Sequence, residues 1–161
     1  MPRASRSIFV NGNPELVFKI TNDIPRWTEL YTNMSATRVV SLERDGRFAK
    51  IVFELTNKEG HVWTAWRILD FKERIAMSRR EAPSYPYNFH HLTWRYELAE
   101  GGKGTQLTWT DDFEMHPDSP IKNEVSLEPM LEHMGESQAN FKKVTEEFIN
   151  NNQIKTIFDV E

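Results

Sequence analysis

Three ionisable residues, Arg67, His90 and Asp111, alternate with apolar or aromatic residues in stretches that have the pattern of β-strands. Arg67 falls on the same strand face as Trp63, and Asp111 on the same face as Trp109, because successive strand residues point to opposite sides of a sheet. A guanidinium stabilises negative charge on an oxygen atom, and an imidazole or a carboxylate can transfer a proton. These residue types suit chemistry at a carbonyl group inside an aromatic pocket.

Each of these residues also has a purely structural interpretation. Periodicity does not fix which face of the segment 61–70 is inside. If the Trp63 face is inside, Arg67 belongs either to a buried ion pair or to a ligand site, because a buried guanidinium must be compensated. His90 could be a hydrogen-bonded core residue. Asp111 could be the partner of Arg67 or of His90, or it could serve as an acid or base.

Turn residues and hydrophobic periodicity predict the elements that would position these side chains. A strand over 5–12 precedes two short helices over 14–23 and 25–31, and Asn13 is the predicted N-cap of the first helix. Apolar residues with helical spacing then extend from Val125 to Asn150. Between the short helices and this long helix, six further strands are predicted at 37–44, 47–55, 61–71, 74–81, 87–98 and 105–115.

This order of elements predicts an α+β fold in which a curved, seven-stranded antiparallel sheet wraps around the long C-terminal helix. No repeat or linker divides the sequence, so residues 1–161 are expected to form a single domain. A cavity commonly lies between sheet and helix in such a fold. The helix is expected to bury Met130, Met134 and Phe141 along one stripe. The apolar residues that define the helical spacing are Leu127, Met130, Leu131, Met134, Phe141, Val144 and Phe148.

Composition limits the classes of function. The net charge is −4 and Lys and Arg form no basic tract, so no nucleic-acid partner is expected. The sequence has no Cys, no HExxH pair and no Gly-rich phosphate loop, and it predicts neither a metal nor a cofactor. It contains no long apolar segment and no apolar stretch near residue 1, which predicts no membrane span, no signal peptide and a cytoplasmic location. Aromatic residues make up 12 %, which suits either a well-filled core or an aromatic-lined cavity.

Several stretches of the chain resemble one enzyme family. ELVFKITNDIPRWTEL, residues 15–30, is similar to the helix-loop-helix segment of the tetracenomycin and spore-pigment aromatase/cyclases of bacterial type II polyketide synthases, whose pattern is close to ELVWxxTNDIxxWPELF. The similarity extends from about residue 5 to residue 150. The other stretches that agree in order and spacing are GHVW at 60–63 followed by Arg67, PYNFHHLTW at 86–94, WTDDFEMHP at 109–117, and Ala139 with Asn140.

The resemblance implies the helix-grip fold, which is START-like and related to the birch-pollen allergen Bet v 1. It also implies a poly-β-ketone substrate attached to the acyl carrier protein of a minimal polyketide synthase, in antibiotic or pigment biosynthesis. The chain would direct regiospecific aldol cyclisation and dehydration, and Arg67 would polarise a substrate carbonyl or its enolate. Resemblance and strand alternation together place the following residues in the substrate pocket: Trp27, Met34, Trp63, Tyr87, Trp94, Trp109, Met134 and Asn140.

Three positions depart from the resembled enzymes. Met34 stands where they have a tyrosine proposed as an acid/base, His90 stands at a methionine, and Asp111 stands at a glutamine. We therefore hypothesise that His90 is the general acid/base in place of that tyrosine, with Asp111 acting on it. A non-catalytic START-like carrier of a lipid, quinone or polyketide is the main alternative, and a scaffold subunit without a cavity is another. Convergence of Arg67, His90 and Asp111 in one cavity would favour the enzyme.

Overall fold

Seven antiparallel strands form one sheet in the order β1-β7-β6-β5-β4-β3-β2 in the computed structural model, which describes residues 2–82 and 84–159. The predicted antiparallel sheet and its seven strands are confirmed, and the first strand lies two residues earlier than expected. The strands are β1 Arg3–Val10, β2 Met34–Asp45, β3 Phe48–Asn57, β4 Val62–Asp70, β5 Ile75–Arg80, β6 Tyr87–Leu98 and β7 Thr105–Met115.

Two short helical segments follow β1, as predicted. Helix α1 covers Pro14–Thr21, and the Asn13 side chain accepts a hydrogen bond from the backbone N–H of Leu16 at 2.8 Å, which confirms the N-cap. The helix ends two residues earlier than predicted, because the side-chain amide of Asn22 donates to the Phe18 carbonyl and caps the last turn. The second segment is a 3₁₀ turn, Ile24–Arg26, followed by helix α2, Trp27–Leu30.

The long helix α3, Asn123–Asn150, packs against the sheet with one buried stripe. Met130, Met134 and Phe141 are buried there, as predicted. Leu127, which contributes to the apolar spacing of the helix, is 42 % exposed and lies outside the buried stripe. The row that faces the sheet also contains polar side chains that hydropathy does not reveal, and its buried members are Ser126, Met130, Met134, Gln138, Phe141, Thr145 and Phe148.

A β-bulge at the start of β6 changes which side chains face the helix. The pairing of β6 with β7 shifts by one residue between Tyr87 and Phe89. Asn88, which strict alternation places on the inner face with His90, is exposed and donates to Glu114 at 2.7 Å. Because of the bulge, Tyr87 and His90 share a face, and their ring centroids lie 4.4 Å apart.

Among the described residues, no helix is both long enough and apolar enough to cross a membrane.

Candidate active site

A cavity of about 560 Å³ lies between the inner face of the sheet, the α2 segment and α3. This volume is in the range of small-molecule sites in proteins. Most of the residues that the sequence placed in a pocket line this cavity, and they come from six separate elements. They are Trp27, Met34, Trp63, Arg67, Tyr87, His90, Trp109, Asp111 and Met134.

Arg67, on β4, is buried with only 1 % of its surface exposed. Its Nε donates to Oδ1 of Asn22 at 2.7 Å, and its Nη1 donates to Oγ of Ser78 at 2.9 Å. The guanidinium lies 4.1 Å from the ring centroid of Trp94, a cation–π contact. Within residues 2–82 and 84–159, Nη2 has no hydrogen-bond partner and no carboxylate pairs with this group. The structure therefore shows a buried, unneutralised cation and not the ion pair that the sequence left open.

The charge of Arg67 is held by neutral partners. Burial lowers the pKa of its guanidinium, while the nearby phenols of Tyr96 and Tyr31 act in the opposite direction. An arginine nevertheless remains cationic in proteins. The cavity therefore contains a permanent positive charge whose hydrogen bonds are only partly used.

The Thr-Asn pair at the end of α1 positions Arg67 from outside the cavity. The Asn22 amide that orients the guanidinium is itself fixed, because its Nδ2 donates to the Phe18 carbonyl at 2.8 Å and to the Tyr96 hydroxyl at 3.1 Å. That hydroxyl also contacts Oγ1 of Thr21 at 2.5 Å. Asn22 falls in the TNDIxxW stretch, but nothing in the sequence connects it to Arg67, 45 residues further along the chain.

His90 and Asp111 form a pair at the other side of the cavity. Nε2 of His90 lies 2.8 Å from Oδ2 of Asp111, which settles the open question of the aspartate's partner in favour of the histidine. The two residues are diagonal neighbours on paired strands, because Leu92 of β6 is the residue directly opposite Asp111 of β7. Asp111 is 4 % exposed, and its Oδ1 has no partner within the described part of the chain.

The ring of Tyr87 packs against the His90 imidazole, with ring centroids 4.4 Å apart and an interplanar angle of 33°. Burial raises the pKa of the Tyr87 phenol, the charge of Asp111 raises it further, and Arg80 lowers it. Arg80 also lies 4.3 Å from the Trp63 ring centroid. The His90 ring is therefore packed against a phenol that stays protonated at neutral pH.

Trp94 lies behind the cavity lining, not in it. Its side chain is fully buried and stacks on Trp109 with centroids 4.3 Å apart and an interplanar angle of 4°. Trp109 therefore presents the wall to the cavity, and Trp94 supports both that wall and the Arg67 guanidinium.

Asn140 also lies outside the lining residues. Its Nδ2 donates to the backbone carbonyls of Leu30 at 2.6 Å and Glu29 at 3.1 Å. These carbonyls end helix α2 and have no partners within that helix. The expected substrate-facing asparagine is thus used as a clamp between α3 and α2.

Tyr31 is a lining residue that sequence analysis did not single out. The available signal was the end of the quoted pattern ELVWxxTNDIxxWPELF, where a phenylalanine stands at the position of Tyr31. That difference adds one hydroxyl group to the cavity.

Comparisons with known proteins agree on one family. A family model described as polyketide cyclase/dehydrase and lipid transport matches residues 1–148. A protein of Streptomyces cyaneus, provisionally named a polyketide cyclase, is 34 % identical over 113 residues, which cover 66 % of this chain and 69 % of the relative. A second protein with the same provisional name, from Streptomyces halstedii, is 28 % identical over 101 residues, 59 % of this chain and 85 % of the relative.

Solved structures show the same fold at low sequence identity. The di-domain ARO/CYC BexL from the BE-7585A biosynthetic pathway superposes with a TM-score of 0.74 at 20 % identity, over 93 % of this chain. This chain spans 48 % of that di-domain protein. The ZhuI aromatase/cyclase from Streptomyces sp. R1128 superposes with a TM-score of 0.70 at 14 % identity, over 92 % of this chain and 95 % of that one. A START superfamily protein from Mycobacterium smegmatis has a TM-score of 0.65 at 14 % identity, over 92 % and 97 % of the two chains.

Proposed function

Because this chain belongs to the polyketide cyclase/dehydrase and lipid transport family, we propose that it is an aromatase/cyclase for a poly-β-ketone carried on an acyl carrier protein. It would fold the ketone chain, promote one aldol ring closure and aromatise the new ring by loss of water. The observation that carries this proposal is the convergence of the unneutralised Arg67 cation and the His90–Asp111 pair in one aromatic cavity.

Positioning is the first task of such an enzyme. A poly-β-ketone has several acidic methylene groups and several carbonyls, so the product depends on which pair meets. Holding one pair in a reactive geometry can lower a barrier by several kcal/mol, about 7–11 kcal/mol in the best intramolecular cases. The flat faces of Trp63 and Trp109 suit a substrate that becomes planar as it aromatises.

Arg67 would stabilise the charge that develops on the substrate. When the methylene carbon attacks the ketone carbon, the electron pair of the carbonyl bond moves to oxygen. A fixed cation with an unused N–H is suited to that oxygen, since it needs no reorganisation at the moment of reaction. Asn22 and Ser78 would hold the guanidinium in place and leave Nη2 for the substrate.

The His90–Asp111 pair would move protons. The imidazole would take the methylene proton in ring closure, and the resulting imidazolium would be stabilised by the carboxylate 2.8 Å away. That first proton passes on to the new alkoxide oxygen, which becomes a hydroxyl. In the dehydration that follows, the restored imidazole can take a second proton from the neighbouring ring carbon and give it to the departing hydroxyl, so that water leaves. Proton transfer of this kind typically contributes about 10²–10⁴-fold to a rate.

A non-catalytic carrier is the second candidate, and the lipid-transport part of the family description favours it. A carrier would bind its ligand through the aromatic walls. It would have no use for a buried, unneutralised arginine or a histidine–aspartate pair, both of which cost free energy to desolvate. These polar groups favour catalysis over transport.

The test is product analysis with a reconstituted minimal polyketide synthase and its acyl carrier protein. We expect one aromatic product to dominate when this protein is added, and a mixture of spontaneously cyclised products when it is absent. The Arg67→Met variant should restore the mixture. If the parent protein leaves the mixture unchanged but still binds the ketone chain or a lipid, the chain is a carrier.

A further inference from the structure

We propose that Tyr31 is a catalytic residue that donates its phenolic proton to the substrate oxygen as the new ring closes. This inference rests on the proposed cyclase function and adds a proton donor to the base that His90 supplies. It is carried by the placement of the Tyr31 ring, by its unpartnered hydroxyl and by the two charged groups that act on it.

Two separate elements hold the Tyr31 ring. Tyr31 is the first residue after α2, and its backbone N–H donates to the Trp27 carbonyl at 3.0 Å. Its ring makes edge-to-face contacts with Trp27 at 5.3 Å and with Phe141 of α3 at 4.8 Å. Because both contacts are made by the ring, a phenylalanine at this position would keep them.

The hydroxyl group of Tyr31 has no such packing explanation. Within residues 2–82 and 84–159 it makes no hydrogen bond, although the residue is half-buried and lines the cavity. The Tyr96 hydroxyl, for comparison, is fully engaged with Thr21 and Asn22. The Tyr31 hydroxyl, at the wall of the cavity, is therefore available to donate to a ligand atom.

The charges around Tyr31 suit a proton donor. Burial raises the pKa of its phenol, so it remains protonated at neutral pH, and the carboxylate of Asp111 acts in the same direction. The Arg67 cation has the opposite effect, because it stabilises the phenolate that forms when the proton leaves. Such a phenol would not protonate a resting ketone. It would protonate the more basic alkoxide-like oxygen that develops beside Arg67.

Protons and electron pairs are conserved in the proposed ring closure. His90 takes a proton from the methylene carbon, which forms a carbon–carbon bond to the ketone carbon. The electron pair of the carbonyl bond moves to oxygen, which accepts the Tyr31 proton and becomes a hydroxyl. The imidazolium then returns its proton to the phenolate through water in the cavity. The protein is restored, and the water lost in aromatisation comes entirely from the substrate.

The test compares Tyr31→Phe with Tyr87→Phe in the reconstituted synthase. Tyr31→Phe removes one oxygen atom and keeps the ring contacts. We expect the initial rate of the cyclised product to fall by about 10²-fold or more. The melting temperature should stay at the parent value, and so should the affinity for 2-naphthol, a planar probe measured by tryptophan fluorescence. This combination separates proton donation from wall packing.

Three results would overturn the inference while the parent protein still directs cyclisation. One is a Tyr31→Phe rate equal to the parent rate. Another is a loss of 2-naphthol affinity as large as the loss of rate, which would make Tyr31 a wall residue. The third is a loss confined to Tyr87→Phe, which would assign the proton to that phenol. If the parent protein itself does not alter the products, the proposed function fails instead.

Discussion

A buried guanidinium without a carboxylate is costly, and the molecule offsets this cost at Arg67 with three kinds of neutral contact. An amide oxygen, a hydroxyl and the faces of two indole rings surround the charge, from Asn22, Ser78, Trp94 and Trp27. None of these groups removes the positive charge. The side chain therefore keeps the ability to stabilise an anionic oxygen, which an ion pair would have consumed.

Arg67→Met should abolish the directed cyclised product with only a moderate loss of stability. The variant leaves the Asn22 and Ser78 oxygens without their donor, at a cost of about 1–3 kcal/mol. Breaking a buried ion pair would cost more, about 3–5 kcal/mol, because a carboxylate would be stranded. Urea unfolding and product analysis measure the two effects. Arg95→Met, at an exposed position of β6, is the matched control and should change neither. A stability loss of ion-pair size would argue for a structural role.

His90→Phe should lower the rate of cyclisation by about 10²–10⁴-fold, because it keeps an aromatic ring beside Tyr87 and removes proton transfer. The neighbouring His91 is exposed on the opposite face of β6, so His91→Phe is the matched control and should keep the parent rate. Both rates are measured with the reconstituted synthase. An undiminished rate for His90→Phe would show that His90 is only a wall residue and that catalysis rests on other groups.

At the level of elements, α3 does more than cover the sheet. Its Asn140 side chain caps the C-terminal end of helix α2 by donating to two of its carbonyls. Helix α2 has only four residues and would not be stable in isolation. Its Phe141 side chain packs on the ring of Tyr31, directly after α2. One turn of the long helix therefore fixes the segment that carries both Trp27 and Tyr31.

Asn140→Ala should destabilise the protein by about 1–3 kcal/mol, because two carbonyls at the end of α2 lose their shared donor in a half-buried place. Glu136→Ala, one turn earlier on the same helix and exposed, is the control and should have little effect. Urea unfolding of both variants checks this prediction. Equal stability of the two would mean that water replaces the clamp without cost.

For the whole molecule, the junction between α1 and the sheet depends on a phenol that must stay neutral. The pKa of Tyr96 is raised from an ordinary value of 10.0 to about 12, because burial outweighs the opposing effects of the Arg67 charge and of the hydrogen bonds. The folded protein therefore holds this proton at a pH where the unfolded chain has released it. Stability from this group is complete below pH 10 and is lost as the pH rises towards 12.

Tyr96→Phe should consequently flatten the loss of stability between pH 10 and pH 12. At pH 8 the variant should be less stable than the parent by about 1–3 kcal/mol, since Thr21 and Asn22 lose their buried partner. Urea unfolding at pH 8 and at pH 11 measures the difference. The same alkaline slope in parent and variant would show that the sheet–helix junction does not depend on this proton.

Local patterns in the sequence were sufficient for the elements and for the face on which most side chains lie. Asn13 followed by Pro14 determines where α1 begins, because both act on the first helical turn. Alternation places Asp111 on the apolar face of its strand and Arg67 on the same face as Trp63, since a strand has a period of two whatever it pairs with. It left open which face of the Arg67 strand is inside. The sequence also contained the resemblance that pointed to the helix-grip fold.

The hydrogen-bond partner of each buried polar side chain was decided only by the tertiary structure. Asp111 pairs with His90 because the register of β7 against β6 makes them diagonal neighbours, and a one-residue shift would separate them. The bulge at Asn88 brings Tyr87 to the same face as His90, which breaks the alternation that the sequence predicts.

Packing between segments far apart in the sequence determined the contacts of Asn140 and Arg67, which the sequence did not predict. Asn140 bonds to carbonyls 110 and 111 positions earlier in the chain, and Arg67 is oriented by an amide 45 positions away. Periodicity contains no information about such distances, because it reports only the direction of a side chain from its own element. Which group that side chain then meets depends on how α2, α3 and the sheet pack together.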